Sequence, residues 1–371
     1  MYNARVLALR SKEDIEREIE RIGSTVSGIK IMSKKADLHL IKIEGVGTRE
    51  ANVLKQEMLA VGGDAATGKG ALDFSVEKSD VLLIGNATQY QILLAKLKMQ
   101  PFECERIATE VEEVLANYEK DDFVLELPRK SIPMDRTLVM GVLNVTPDSF
   151  SDGGKYFELE DAINHGEEMA GQGADIIDIG GESTRPYSDP VPVEEELMRV
   201  RPVVEELAKR VDVPISIDTR RPKVAREIVE VGAQMVNDVS GLRDEEMIST
   251  IADLNVPVVI MHMLGTPKTM QERPRYEDVM GEICSYLRNQ VDSAVRGGIE
   301  REKIIVDPGI GFGKTVEHNL EIIRRLGELR SLGLPIMIGT SRKSFRGKIL
   351  DLDVGERLEG SLAALVSSIL N

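Results

Sequence analysis

The sequence predicts two α/β domains, and the larger one has the pattern of a (β/α)8 barrel or of an open doubly wound sheet. The chain has 371 residues, which leaves about 120 beyond the roughly 250 that a barrel needs. From Thr137 onward, short apolar runs alternate with helical patterns across short connections. Such runs indicate strands buried on both faces, as in a parallel sheet that is covered by helices.

Residues 1–130 predict a small α/β domain, to which we assign no role. Four segments have the spacing of helices, at 12–22, 48–61, 89–97 and 106–118. Two shorter segments have strand patterns, at 39–43 and 79–84. The charged residues 119–122 and the nearby Pro128 indicate a linker, so the domain boundary is predicted at residue 130.

Residues 63–70 have the spacing of a phosphate-binding loop, Gly-Asp-Ala-Ala-Thr-Gly-Lys-Gly. Gly70, however, stands where Ser or Thr would bind magnesium, and a helical pattern precedes the segment in place of a strand. We therefore interpret this segment as a glycine-rich turn, and not as a nucleotide site.

Residues 131–371 predict a barrel without its last strand. Seven apolar runs predict strands, at 138–143, 176–179, 214–217, 235–236, 258–261, 304–306 and 335–338. Six helical patterns separate them, at 161–172, 193–209, 222–231, 245–254, 276–296 and 318–329, and another follows at 357–370. Because such a barrel closes with eight strands, we expect the natural protein to continue past Asn371 with a strand and a helix.

The composition excludes several classes of function. The net charge of −16 and the pI of about 4.9 argue against a nucleic-acid partner, because phosphate contacts need clustered Lys and Arg. No stretch approaches the roughly 20 apolar residues of a membrane span. Cys104 and Cys284 stand far apart in the sequence, which indicates a reducing compartment. We therefore expect a cytoplasmic protein with no membrane or nucleic-acid partner.

Polar residues follow nearly every predicted strand, which indicates an active site. Strand by strand, these residues are Asn144, Glu182, Asp218, Asn237, His262, Asp307 and Ser341. Active sites of barrels lie at the carboxyl ends of the strands, where such side chains converge. A single aspartate here is equally well explained as the cap of the next helix. Caps do not explain the whole set, since Asn144 and Asp307 precede loops rich in Gly and Pro.

The residue types in this set suit a polar heterocycle that carries a phosphate group. Asp218, Asn237 and Asp307 would accept hydrogen bonds from ring N–H groups, because buried carboxylates need donors. Asn144 and Asp148 offer oxygen ligands for magnesium. Positive charge suited to phosphate stands in the loops, at Arg185, Arg220, Lys314, Arg342 and Lys343. From these residues alone the reaction stays open.

Three motifs in this part of the chain resemble those of the dihydropteroate synthase family, and the resemblance covers about residues 138–370. The first motif is Gly-Val-Leu-Asn-Val-Thr-Pro-Asp-Ser-Phe-Ser-Asp-Gly-Gly at 141–154. The second is Gly-Glu-Ser-Thr-Arg-Pro at 181–186, and the third is Ser-Arg-Lys-Ser at 341–344. This resemblance implies a TIM barrel in which a pterin-methyl diphosphate and 4-aminobenzoate are joined.

The resemblance also implies a role for individual residues. The pterin pocket and the catalytic positions would be Asp218, Asn237, Asp307 and Lys343, with Met263 as a further substrate contact. Thr184, Arg185 and Ser344 would lie at the aminobenzoate side. Asp148, Ser149 and Phe150 would belong to a mobile loop, and Asn144 would bind Mg²⁺. A homodimer is expected. The family's eighth strand carries an Arg-x-His pair that helps to bind diphosphate, and it is absent before Asn371.

Three alternatives stay open beside this reading. Pterin-dependent methyltransferases are similar barrels, although they lack the loop at 144–152 and the segment at 341–344. A pterin-binding protein without catalysis would also explain a missing strand. A third alternative is the same condensation with a modified arylamine.

Overall fold

The chain forms two compact units, Met1–Ala116 and Asn117–Asn371, in a computed structural model. The structure describes residues 2, 4–9, 11–145, 155–183, 190–266, 268–341 and 358–371. The boundary between the two units follows Ala116, and so lies before the domain boundary predicted at residue 130.

The first unit is a three-stranded antiparallel sheet with helices. Its elements are α1 (Lys12–Arg21), α2 (Val26–Ala36), β1 (Leu38–Gly47), α3 (Thr48–Ala60), β2 (Asp64–Thr67), α4 (Lys69–Leu72), β3 (Lys78–Asn86), α5 (Ala87–Leu97) and most of α6 (Cys104–Glu119). Strand β3 lies between β1 and β2. Leu54, Leu83 and Leu93 are fully buried in the core that the sheet shares with its helices. The predicted glycine-rich turn at 63–70 is wrong, since Asp64–Thr67 pairs with β3 as a strand.

A short hairpin lies near the start of the second unit. Strands β4 (Val124–Glu126) and β5 (Ser131–Pro133) pair in antiparallel register. Leu125 of the hairpin packs with Ile176, Met235 and Val259, which lie near the amino ends of three later strands. Apolar contacts therefore join the predicted linker to the second unit.

Six parallel strands follow in chain order. They are β6 (Met140–Asn144), β7 (Ile176–Gly180), β8 (Ile215–Asp218), β9 (Met235–Asp238), β10 (Val258–Met261) and β11 (Ile304–Asp307), and each pairs with its sequence neighbours. The predicted strand at 335–338 is reduced to a bridge between Ile336 and Val306. Met337 N–H donates to the Val306 carbonyl at 2.8 Å, so this segment still runs beside β11.

Helices alternate with these strands and cover one face of the sheet. They are α7 (Lys155–Gly171), α8 (Val193–Arg210), α9 (Pro222–Val231), α10 (Glu245–Leu254), α11 (Val279–Arg296), α12 (Val316–Arg324) and α13 (Leu358–Leu370). Ile217, Val236 and Ile260 pack into the core on this side. Local signals place the helix starts: Asp278 caps α11 through the Gly281 N–H, and Thr315 forms a capping box in α12.

The order of elements confirms the predicted α/β class with consecutive parallel strands. No helix in the described ranges is long and apolar enough to cross a membrane.

Candidate active site at the carboxyl ends of the strands

Strand register determines which side chains share the face of the sheet that points away from the helices. Asp218 is aligned with Asn237, Asn237 with Val259, and Met261 with Asp307. Aligned residues of parallel strands point to the same face, as does every second residue along a strand. Asp218, Asn237 and Asp307 therefore lie on one face, which we call the inner face.

The inner face is apolar at one end and polar at the other. At the amino ends of the strands, Ile176, Met235 and Val259 pack on the β4–β5 hairpin. The next inner-face position toward the carboxyl end is polar, as at Asp178 after Ile176 and at Asn237 after Met235. The predicted convergence of Asp218, Asn237 and Asp307 thus follows from strand register.

Asn144 reaches the same edge beside Asp218. Asn144 is aligned with Gly180, and Gly180 is aligned with Asp218. A Cβ atom built on Gly180 would lie 3.6 Å from Asp218 Oδ2 and 3.7 Å from Asn144 Oδ1. The missing side chain of Gly180 therefore leaves space between two oxygen atoms that come from strands two apart.

Asn237 is held by Asp178, which lies nearer the amino ends of the strands and was not among the predicted site residues. The Asn237 Nδ2 group donates to Asp178 Oδ2 at 2.9 Å, and both side chains are buried. Burial raises the pKa of Asp178, while hydrogen bonding by Ser216 and Asn237 opposes the rise. Asp178 was missed because it lies inside the apolar run at 176–179. The signal that could have identified it was a carboxylate among the isoleucines of residues 176–179.

Asp307 is fixed by the turn that follows its strand. Its side chain is 4% exposed, and Oδ1 accepts the Gly309 N–H at 2.6 Å. Gly309 has a φ of +68°, and a Cβ there would lie 2.0 Å from the His262 carbonyl oxygen. Only glycine fits this turn without displacing backbone. The turn therefore holds the Asp307 carboxylate at the strand end.

An apolar cluster lies beside these polar groups. Met263 is 3% exposed and packs with Met261, Val239, Met270 and Phe312, apart from the main core. Its members follow or end strands β9, β10 and β11. Apolar side chains next to a few directed polar groups are typical of small-molecule sites, and they suit the face of a flat ring.

Lys314 does not have the role that its sequence position indicated. We predicted a loop cation for phosphate, but Lys314 is 3% exposed. Its Nζ lies 2.9 Å from His262 Nδ1 and 3.0 Å from the Phe312 carbonyl oxygen. This ammonium group joins the loops after β10 and β11 from within. Burial, and then the nearby Lys314 charge, lower the pKa of His262 to about 2, so the imidazole is neutral.

Arg220 is also engaged by protein groups. It pairs with Glu182 at 3.1 Å, and Arg221 pairs with Glu182 at 3.2 Å and with Glu196 at 3.2 Å. Thr219 Oγ1 donates to Glu196 Oε1 at 2.7 Å. This network joins the ends of β7 and β8 to α8. Glu182 therefore offsets much of the charge that Arg220 was predicted to offer to phosphate.

Several predicted site residues lie outside the described residues, so their roles stay predictions. They are Asp148, Ser149, Phe150, Thr184, Arg185, Arg342, Lys343 and Ser344.

The low pKa of His262 predicts acid sensitivity of the second unit. His262 stays neutral in the folded protein but binds a proton in the unfolded chain. Folding therefore loses free energy as the pH falls below 6.5, the ordinary pKa of histidine. The free energy of unfolding should fall by about 1.4 kcal/mol per pH unit, which is about 2 kcal/mol between pH 6.5 and pH 5. We expect His262→Asn, whose Oδ1 can accept from Lys314, to remove most of this slope in urea unfolding.

His165→Asn is the matched control, because the His165 side chain is 54% exposed on α7. Its slope of unfolding free energy against pH should equal that of the parent. Equal slopes for His262→Asn and the parent protein would contradict a neutral, buried His262.

Comparison with known proteins places this site in a family. The family model described as pterin binding enzyme matches residues 140–371. Dihydropteroate synthase of Escherichia coli strain K12 is 49% identical over 236 residues, which are 64% of this chain and 84% of that protein. A probable bifunctional folylpolyglutamate synthase/dihydropteroate synthase of Haloferax volcanii is 37% identical over 368 residues, 96% of this chain and 43% of that protein.

Solved structures agree with this assignment. Xanthomonas albilineans dihydropteroate synthase with 4-aminobenzoic acid has a TM-score of 0.64 and 42% identity, covering 67% of this chain and 90% of that chain. The same enzyme in complex with 7,8-dihydropteroate has a TM-score of 0.61 and 41% identity, covering 67% and 89%. The predicted TIM-barrel fold is thereby confirmed. The chain belongs to the dihydropteroate synthase family of pterin-binding enzymes.

Proposed function

We propose that this protein condenses (7,8-dihydropterin-6-yl)methyl diphosphate with 4-aminobenzoate, giving 7,8-dihydropteroate and diphosphate. The observation that carries the proposal is the shared inner face of Asp218, Asn237 and Asp307, at the carboxyl ends of three strands of a pterin-binding barrel. Relatives that are 49% identical are dihydropteroate synthases, which supports the reaction.

The pterin ring would lie against the inner face. Its N–H groups are donors, and Asn237 and Asp307 offer acceptor oxygens from buried positions. The cluster around Met263 and Phe312 would cover a face of the ring. A ring held by directed polar groups and an apolar wall has one orientation, so its methylene carbon would point toward the loops.

The reaction needs positioning more than a side-chain nucleophile. The amine nitrogen of 4-aminobenzoate forms a bond to the methylene carbon, the C–O bond to diphosphate breaks, and diphosphate leaves with the electron pair. The amine proton is then lost to solvent or to diphosphate. Holding the two reactants in line converts a bimolecular step into an effectively unimolecular one. The inner face would supply half of this alignment by fixing the pterin.

Magnesium is part of the proposal, with Asn144 as its protein ligand. Asn144 Oδ1 and Asp218 Oδ2 both face the space beside Gly180, and such oxygen atoms fit the preference of Mg²⁺. When bound, the ion would offset the negative charge of the diphosphate. Asn144 would orient the ion through Oδ1. A homodimer and a cytoplasmic location complete the proposal, and the free thiols Cys104 and Cys284 agree with a reducing compartment.

We expect the protein to release diphosphate from the pterin substrate with 4-aminobenzoate and Mg²⁺, and to lose this activity in chelator. Asn144→Ala should raise the magnesium concentration for half-maximal rate about tenfold, because one of few protein ligands is removed. A panel of arylamines in the same assay separates 4-aminobenzoate from modified arylamines.

Asn289→Ala, at an exposed position of α11, is the control for this assay and should change nothing. Binding of the pterin without diphosphate release for any arylamine would favour a non-catalytic pterin-binding protein. Full activity in chelator would contradict the role of magnesium.

A further inference from the structure

Three buried polar atoms lie near one another on the inner face, one of them level with Asp218 and two nearer the amino ends of the strands. Within the described ranges, Asp178 Oδ1 and Ser216 Oγ have no hydrogen-bond partner beyond the contact between Asp178 and Ser216 themselves, and Asn237 Oδ1 is buried without one. These side chains are 3%, 0% and 5% exposed. They stand on the consecutive strands β7, β8 and β9, and Asp178 is aligned with Ser216. The contact between Asp178 and Ser216 accounts for two of these atoms. Because buried polar atoms are nearly always paired, Asn237 Oδ1 is the atom that indicates a partner from outside the protein.

The Asn237 amide has one orientation because of what lies beneath it. An amide can exchange its oxygen and nitrogen by a half-turn, and the surrounding hydrogen bonds decide between the two states. Asp178 Oδ2 accepts the hydrogen bond from Asn237 Nδ2 at 2.9 Å. The amide nitrogen therefore faces Asp178, and Oδ1 is the atom that is left for a ligand.

We propose that Asp178 is a positioning residue that holds the Asn237 amide so that Oδ1 accepts an N–H group of the substrate heterocycle. The inference rests on the proposed function, because the heterocycle is the pterin ring. It adds a source of specificity. A site that presents a fixed acceptor selects rings with a donor at that place and rejects rings without one.

The surroundings of Asp178 support this role. Burial raises the pKa of its carboxyl group, which favours the neutral acid. A neutral acid can accept from Asn237 through Oδ2 and donate through Oδ1, to Ser216, a water molecule or the ligand. The neighbouring Asp238 differs, since its two oxygens accept the N–H groups of Ser240 and Leu242 at 2.7 and 3.0 Å. Asp238 thus shapes a turn, whereas the hydrogen bonds of Asp178 go to two side chains of the inner face, Asn237 and Ser216.

Two substitutions remove the acceptor below Asn237 in different ways. Asp178→Ala leaves room for water, which can donate or accept and so permits both amide orientations. Asp178→Leu fills the space and excludes water. Asp178→Asn is the conservative variant, because its amide offers one acceptor and one donor group, as the neutral acid does.

The experiment compares binding of 6-hydroxymethylpterin with that of two analogues, one methylated at N3 and one without the 2-amino group, by calorimetry. We expect the parent to bind at least one analogue about tenfold or more weakly than the pterin. Asp178→Ala and Asp178→Leu should bind the pterin about tenfold more weakly than the parent does. They should also lose most of the difference in affinity between the pterin and the analogue. Asp178→Asn should keep both values within about threefold. Thermal unfolding of each variant shows whether it is folded.

The possible results distinguish a failure of the proposed function from a failure of the positioning role of Asp178. A parent protein that does not bind the pterin overturns the proposed function before any variant is tested. A parent that binds the pterin, with the same ratio in folded Asp178→Ala or Asp178→Leu, overturns the positioning role alone. If Asp178→Asn loses as much as Asp178→Ala, the charge of Asp178 is what matters, and the positioning role is again overturned.

Discussion

We expect the substitution Asp307→Asn to lower the rate of diphosphate release about 30- to 1,000-fold while leaving the fold intact. Loss of one positioned polar group at such a site removes about 2–4 kcal/mol from the stabilisation of the transition state. Asp307 is 4% exposed and is fixed by the Gly309 N–H. Asparagine can keep that hydrogen bond through its carbonyl oxygen, so the effect would come from the second oxygen atom and the charge.

The control for this substitution is Asp253→Asn on α10, where the side chain is 69% exposed. Its rate and its melting temperature should equal those of the parent protein. Near-normal turnover by Asp307→Asn, with an unchanged melting temperature, would contradict the assignment of Asp307 to the pterin pocket.

Lys314→Met should destabilise the second unit by about 2–4 kcal/mol. The ammonium group lies 2.9 Å from His262 Nδ1 and 3.0 Å from the Phe312 carbonyl oxygen, and all of these groups are buried or nearly so. Methionine retains the length of the side chain but donates no hydrogen bond. Each buried acceptor that loses its donor costs about 1–3 kcal/mol. Urea unfolding followed by circular dichroism measures the change.

Lys209→Met is the matched variant, because Lys209 lies on α8 with 59% of its side chain exposed. We expect it to change the free energy of unfolding by less than about 0.5 kcal/mol. A Lys314→Met protein that unfolds at the same urea concentration as the parent would show that the buried ammonium group is not needed to hold the two loops together.

Periodicity predicted most of the barrel because each signal is local. The apolar runs at 176–179 and 258–261 became strands β7 and β10, and helix α9 has the predicted bounds at 222–231. Elements with weak local signals were missed. The hairpin strands β4 and β5 have three residues each, too few for a recognisable alternation. Pro335 has no N–H to donate, and the segment that it begins forms only a bridge.

The candidate site was predictable where strand register alone decides the outcome. Asp218, Asn237 and Asp307 share a face because the side chains of a strand alternate with a period of two. Pairings between distant residues were not predictable. Lys314 and His262 are 52 residues apart in the sequence, and Arg220 and Glu182 are 38 apart. Nothing local indicates that Lys314 is buried or that Arg220 is paired with Glu182, so these contacts could not be predicted from the sequence.

The most direct test is a crystal structure of the protein with the pterin-methyl diphosphate and Mg²⁺, without arylamine. We expect the ring on the inner face, with its N–H edge within hydrogen-bond distance of Asn237 Oδ1 and the Asp307 carboxylate, and with Met263 beside the ring. The diphosphate should lie toward Asn144. A ring that binds away from Asp218, Asn237 and Asp307 would contradict the central claim that these inner-face residues form the pterin site.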